Sequence, residues 1–269
     1  MKSSLSSLVQ GSPEWIEWRK GGIGASEIAA VAGLCPYGTP YKVWLVKTGR
    51  AKEFAGNSFT RHGQETEARA RARYELINME DMPPACATHP KFEICRSSLD
   101  GLSADNRVIL ELKCPPGRNV LEVALGGNVI DYYVPQTQYQ LAVAGSDVLH
   151  YFVYHEESKQ DALVEVRPDF QYQAMLFSAA LEFWQKYVLT DTPPPLTERD
   201  DKLVDDLESR NICAKLLDLK KDGRSHAKKM ADVLKRELVK LAGHPRVRCG
   251  NILISVSGST YRMTVGKGA

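Results

Sequence analysis

The 269-residue chain has no run of 18 or more apolar residues, which excludes a membrane-spanning helix of ordinary length. Its six cysteines, Cys35, Cys86, Cys95, Cys114, Cys213 and Cys249, form no Cys-x-x-Cys pair, which argues against a zinc ribbon or an iron–sulfur cluster. They read as reduced core thiols. The six histidines are equally dispersed, with no His-Glu-x-x-His. A net charge of +2 is not that of a protein that coats nucleic acid, yet a nucleic-acid enzyme remains open, because an acidic metal site and local basic patches cancel in the total. Internal repeats and long low-complexity tracts are absent. The start, "MKSSLSSLVQGSPEW", holds only a scrap of apolar sequence and no cleavage pattern, so the expectation is a cytoplasmic protein.

What is present is ordinary for a globular chain, with 43% hydrophobic and 25% charged residues. Ser12 and Pro13 open a helix as N-cap and first residue, and Thr39 and Pro40 open another, stopped at Gly49. Between them "GGIGASEIAAVAG" reads as a glycine-rich loop followed by a short helix capped by Ser26 and ended at Gly33. Residues 64–79, with "ARARAR", alternate like a strand but consist of strong helix formers. They are read as a helix with Ala68, Ala72 and Leu76 along one stripe. Residues 92–102 and 107–113 read as two strands joined at "ADNR", Pro135 starts a helix ended by Gly145, and two further strands and a long amphipathic helix follow. "TDTPPPLTERDD" reads as a linker. Beyond it come two charged helices broken near Gly223 and a hairpin turning at Gly258-Ser259.

The chemistry concentrates in "RVILELKCPPG", residues 107–117. Val108, Leu110 and Leu112 make an apolar face, while Glu111 and Lys113 share the other face with Ile109. If Asp105 and Asn106 are the turn, counting outward sets Asp100 opposite Glu111 and Ser98 opposite Lys113. Two carboxylates across a ladder repel, and a raised pKa, a cation or a bound metal must compensate. Mg²⁺ takes one or two protein carboxylates plus other oxygens. Asp100, Glu111 and the backbone carbonyl of Leu112 fit that need, with Lys113 aimed at an attacking water or scissile phosphate. The bland reading is a solvent face on which Glu111 and Lys113 form a weak surface pair.

Three other features bear on the choice. The loop before residue 26 exposes backbone N–H groups, and Arg19 and Ser26 add phosphate-binding side chains, or else the segment is a plain loop and cap. Glu67 is either a dipole partner near a helix start or a further metal-site carboxylate. Gln138 is either exposed or orients a water or a phosphate oxygen.

Four motifs then occur in order: W-x-x-W-R-x-G-x-I-G-A-S-E, G-x-x-x-E-x-x-A-R, S-L-D-G-L…I-L-E-L-K and P-Q-x-Q-Y-Q-L. Over about residues 13–155 the chain resembles the lambda exonuclease family, the YqaJ-like branch of the PD-(D/E)XK nucleases, with Leu99 where that motif has its proline. The resemblance implies an α/β (α+β) chain with a restriction-endonuclease-like core, a central mixed β-sheet flanked by helices, extended here over residues 1–190, while the C-terminal helical pair and β-hairpin over 197–269 are read from the residue pattern alone. It implies a processive 5′→3′ exonuclease on linear double-stranded DNA that uses Mg²⁺, with two ions and Mn²⁺ as a substitute. Such enzymes leave 3′ single strands for phage recombination, act as a homotrimer ring and work with a single-strand annealing protein. By position, Asp100 and Glu111 match metal ligands and Lys113 the catalytic lysine. Glu67 matches an acid at or near the second metal, Gln138 a water- or phosphate-orienting residue, and Arg19, Ser26 and Ser98 the grip on a 5′-phosphate. The competing readings are a RecB-like, Cas4-like or restriction-type nuclease, and a non-catalytic DNA-end-binding protein. The C-terminal extension is read as an oligomer, DNA or partner contact.

Overall fold

The computed structural model describes residues 4–6, 8–52, 58–222 and 225–266, and divides into two compact units, Met1–Pro194 and Pro195–Ala269. The fold is mixed α/β.

In the first unit, β1 (Ser4–Ser6) precedes α1 (Pro13–Lys20), whose N-cap Ser12 accepts a bond from Trp15 N at 3.2 Å. After β2 (Ile23–Gly24) comes α2 (Ala25–Val31). Its cap is Gly24, not Ser26. Glu27 Oε2 accepts from Gly24 N at 2.7 Å, which places Ser26 inside the first turn and already occupies one loop amide. Then come α3 (Pro40–Lys47), capped by Thr39, and α4 (Ser58–Asn78). The buried stripe of α4 is Thr66, Ala70 and Tyr74, while Ala68, Ala72 and Leu76 face outward. Tyr74 fills the space that the alanines do not, so the helix is rotated from the stripe that its alanines suggest.

Two four-stranded sheets follow from β3 (Ala85–Thr88), β4 (Cys95–Leu99), β5 (Gly101–Leu102), β6 (Val108–Lys113), β7 (Val148–His155) and β8 (Gln160–Val166). One has the order β1-β3-β4-β2 and the other, mixed, the order β5-β6-β7-β8. Between β6 and β7 lie α5 (Asn119–Leu125) and α6 (Val134–Ala144), and after β8 comes α7 (Phe170–Phe183). Because β6 and β7 are parallel, the chain must cross over between them, and it does so through these helices.

The expected continuous strand 92–102 is broken at Asp100. β4 pairs with β3, where Ser98 faces Cys86 rather than Lys113, and β5 pairs with β6. The β5–β6 register, Gly101 with Leu110 and Leu102 with Ile109, extended one residue, still puts Asp100 beside Glu111. Gly101 has a steric reason: a Cβ there would lie 2.8 Å from Met82 Cβ and 2.9 Å from Leu110 Cβ. The connection is wider than a two-residue turn, with Asn106 left-handed at φ 63°.

Both faces of β6 are covered. Leu110 and Leu112 pack with Ala70, Tyr74 and Phe152, while Ile109 joins the main core with Tyr139 and Tyr151. Glu111 is 2% exposed, so its face is not a solvent face.

The second unit contains β9 (Lys202–Leu203), α8 (Leu207–Asp222), α9 (Ser225–Ala242), β10 (Arg246–Cys249), β11 (Ile252–Ser257) and β12 (Thr260–Val265). Its sheet runs β12-β11-β10-β9. Ser257 pairs with Thr260, so Gly258 and Ser259 form the hairpin turn as read from sequence. Its core joins Leu216, Leu238, Val247 and Ile254. The break expected near Gly223 lies outside the described residues.

Candidate active site

Asp100 owes its place to the break between β4 and β5. Its Oδ2 accepts from Leu112 N at 2.8 Å, so the carboxylate takes the ladder position that a strand carbonyl would fill. A strand residue's N–H and C=O point the same way, so the Leu112 carbonyl also faces this side. Glu111 sits on the face of β6 that looks toward α6. Its Oε1 accepts from Gln136 Nε2 at 2.7 Å and from Lys113 Nζ, and its Oε2 accepts from Gln140 Nε2 at 2.6 Å. The Lys113 ammonium also lies 4.3 Å from the centre of the Tyr133 ring.

Charge and burial pull these groups in opposite directions. Burial pushes the Asp100 carboxyl well above its ordinary value, and neighbouring Glu111 adds to the rise. Burial works against the charge on Lys113, but Glu111 and its neighbours outweigh it and hold the ammonium above its ordinary pKa. Glu67, two turns inside α4, accepts from Arg71 Nη2 at 3.1 Å. Arg71 Nη1 in turn donates to Met82 O at 2.7 Å and to the Asp100 carbonyl. One guanidinium thus ties the acid on α4 to the backbone at the strand break.

Asp100 and Glu111 line two cavities at once. One, of about 210 Å³, is also lined by Trp15, Arg19, Ser26 and Ser98. Ser98 Oγ accepts from Trp15 Nε1 at 2.8 Å, and the Arg19 guanidinium lies 4.7 Å from the Trp15 ring centre. Lys47 donates to the Arg19 carbonyl at 2.8 Å and fixes the backbone there. The other cavity, of about 620 Å³, adds Glu67, Lys113, Tyr132 and Tyr133.

The donor set fits a hard divalent cation. The Asp100 and Glu111 carboxylates line the same cavities, the Leu112 carbonyl faces the Asp100 side, and a cation would relieve the burial and the Glu111 charge that push the Asp100 carboxyl up. Among the described residues no group of three His, Cys, Asp or Glu side chains converges in ready ligand geometry. A cation here would therefore depend on backbone, water or phosphate oxygens as well.

The structure brings together Asp100, Glu111, Leu112, Lys113, Glu67, Arg19, Ser26 and Ser98. It does not bring Gln138 to them. Gln138 lies on the opposite face of α6, where its Nε2 donates to Arg167 O at 2.9 Å and its Oε1 accepts from Asp169 N at 2.9 Å and Gln173 Nε2 at 3.0 Å. Those bonds tie α6 to the start of α7. The site glutamines are Gln136 and Gln140, four residues apart and therefore on one helix face. Sequence reading also missed Arg71, whose signal was its i,i+4 spacing from Glu67, and Tyr133.

The YqaJ-like viral recombinase domain model matches residues 14–147, a span that contains the candidate site residues from Arg19 to Gln140. The uncharacterised protein YqaJ of Bacillus subtilis (strain 168) is 27% identical over 187 residues, which is 68% of this chain and 58% of the relative. The chain thus spans somewhat over half the length of that curated relative. Among solved structures, the alkaline exonuclease LHK-Exo from Laribacter hongkongensis, seen alone and in complex with dAMP, superposes with a TM-score of 0.59 at 24% identity. The match covers 67% of this chain and 94% of that one, a likeness of fold. Through residues 14–147 the chain belongs to the YqaJ-like viral recombinase family.

Proposed function

We propose that this protein is a Mg²⁺-dependent, processive 5′→3′ exonuclease on linear double-stranded DNA that leaves 3′ single strands for recombination by strand annealing. The observation that carries the reading is the shared lining of the two cavities by Asp100 and Glu111, with a phosphate-type grip on one side and a lysine on the other. A complex of the fold relative with dAMP is in keeping with a nucleotide-sized site.

Asp100, Glu111 and the Leu112 carbonyl would hold Mg²⁺, or Mn²⁺ in its place, with Glu67 beside a second ion. When bound, the metal supplies Lewis-acid activation of water and phosphate. The chain's own residues do the remaining work. Lys113 places a fixed positive charge beside Glu111, where charge develops on the phosphate oxygens. Gln136 and Gln140 keep the Glu111 carboxylate in one orientation. Arg19, Ser26 and Ser98 hold a terminal 5′-phosphate, which makes a DNA end the productive substrate. A homotrimer ring threaded by DNA would account for processivity, and an annealing protein would take up the exposed strand.

The test is release of acid-soluble nucleotides from linear and from closed-circular plasmid DNA in Mg²⁺. Release from linear DNA alone is expected. Equal attack on the circle would instead favour a RecB-like, Cas4-like or restriction-type endonuclease. Retention of DNA ends without any release would favour a non-catalytic end-binding protein.

A further inference from the structure

The two units carry charge of opposite sign. Residues 1–194 hold 19 Lys and Arg against 23 Asp and Glu, a net of −4, whereas residues 195–269 hold 16 against 10, a net of +6. If the first unit works on a polyanion, as proposed above, its own net charge opposes the substrate, and the compensating charge is concentrated in the unit that lies outside the family match.

Within the second unit the positive charge is ordered on α9. Ala227, Leu238 and Ala242 are buried, with Ala231 and Leu234 packed beside them. At 100° per residue, Lys229, Arg236 and Lys240 fall within about 20° of the direction opposite that buried stripe. All three are exposed. Among the described residues none is engaged by an acid, whereas Lys235 at the edge pairs with Asp232 at 2.7 Å. The Arg236 guanidinium lies 5.6 Å from the Tyr261 ring centre, which steadies it against the hairpin. The stripe is about 16 Å long at 1.5 Å per residue. A duplex lying along it presents about nine phosphate charges over that length.

We propose that the outward face of α9, through Lys229, Arg236 and Lys240, binds the phosphate backbone of double-stranded DNA without reading its sequence. The inference rests on the nuclease reading only for its purpose, and the binding itself is measurable without cleavage. Met230, Val233 and Leu241, on the flank of the same helix, are exposed apolar residues and mark where a protein partner would sit instead.

The experiment measures binding of the full-length protein to a labelled linear duplex in EDTA across a salt series. Wild type is compared with Lys229→Gln/Arg236→Gln/Lys240→Gln, with the double variant Lys229→Gln/Lys240→Gln that leaves the Arg236–Tyr261 contact intact, and with Met230→Ser/Leu241→Ser. At about 0.9 in the log–log slope for each phosphate neutralised, the triple variant should lower the slope by roughly 2 to 3 and the double by roughly 2. Affinity should fall at least tenfold, with the flank variant near wild type. Unchanged slope and affinity in both stripe variants would overturn the proposal. So would loss only in the flank variant, or a change in oligomeric mass with DNA binding unaltered. Nucleotide release by wild type, measured separately, tells the two readings apart. Release with unchanged slopes sinks the α9 surface alone, and altered slopes without release sink the nuclease reading alone.

Discussion

Gln140 Nε2 lies 2.6 Å from Glu111 Oε2, with both side chains buried, and this bond fixes the orientation of the carboxylate that also receives Lys113. Removing the donor leaves a buried charged oxygen with one partner fewer. Gln140→Leu is therefore expected to lower the nuclease rate by about 10- to 100-fold, the usual cost of losing a group that orients a metal-site ligand. Its effect on the Mg²⁺ concentration needed for half-maximal rate should be of similar size. Gln138→Ala, by contrast, removes three bonds between α6 and the start of α7 and should cost about 1–3 kcal/mol of stability. Its rate per folded molecule should stay close to wild type. Thermal melts and Mg²⁺ titrations of both variants decide the matter, and a rate loss confined to Gln138→Ala would reverse the assignment.

Lys113 is held from two sides, by Glu111 and by the face of Tyr133. Lys113→Ala removes the fixed positive charge and should reduce nucleotide release by about 10²- to 10³-fold, as loss of an electrostatic stabiliser does. Tyr133→Leu keeps the ammonium but removes the ring, so a smaller loss is expected, with Tyr133→Phe nearly wild type because the ring face, not the hydroxyl, meets the cation. Single-turnover rates on a linear duplex rank the three. Equal activity of Lys113→Ala and wild type would take the lysine out of the chemistry.

The raised carboxyl pKa of Asp100 has a stability consequence. Burial, then the charge of Glu111, raises its folded-state pKa above the ordinary 3.8, so the folded protein binds this proton more tightly than the unfolded chain does. The associated stability is fully present below the ordinary value and is lost as pH rises from there toward the raised folded value. In EDTA the melting temperature should therefore gain from Asp100→Asn at neutral pH, since the amide keeps an acceptor for Leu112 N and carries no charge. Mg²⁺ should raise the melting temperature of wild type and leave the variant nearly unmoved. A wild type indifferent to Mg²⁺, or a variant that melts lower in EDTA, contradicts this account of the carboxylate pair.

Where local chemistry decided an element, the sequence announced it. Ser12-Pro13 and Thr39-Pro40 cap their helices, and Gly258-Ser259 turns the hairpin, because each choice is settled within a few residues. The break at Asp100 was not legible. The alternation of "CRSSLDGLS" runs straight through it, and only the close packing of Gly101 on Met82 and Leu110 shows why the strand changes sheets. The glutamines of "PQTQYQ" pose the same problem. Gln136, Gln138 and Gln140 repeat every second residue, and on a helix that puts the middle one on the far side. Which side faces Glu111 depends on how α6 is rotated over β6, a tertiary fact with no local signature. The α4 stripe failed for a related reason, because Ala and Arg set no helical phase, and of the large residues that could set it Tyr74 is buried while Leu76 and Ile77 are exposed.

Arg19 offers the sharpest check on end recognition. Its backbone is fixed by Lys47, its guanidinium lies over Trp15, and with Ser26 and Ser98 it lines the smaller cavity beside Asp100 and Glu111. A cationic planar group in that position matches a terminal phosphate far better than a hydroxyl. With wild type, a 5′-phosphorylated duplex should be degraded faster than the same duplex ending in a 5′-hydroxyl. Arg19→Ala should erase most of that preference, losing about tenfold or more on the phosphorylated end, the equivalent of one charge-assisted hydrogen bond, while changing the hydroxyl end little. Arg19→Lys should recover only part of it, since a point charge cannot reproduce the bidentate fork. Initial rates on the two duplexes, taken as a ratio for each protein, cancel any general effect on folding or on Mg²⁺ binding. A ratio that does not move in Arg19→Ala would mean that the smaller cavity does not select the 5′-phosphate through this residue.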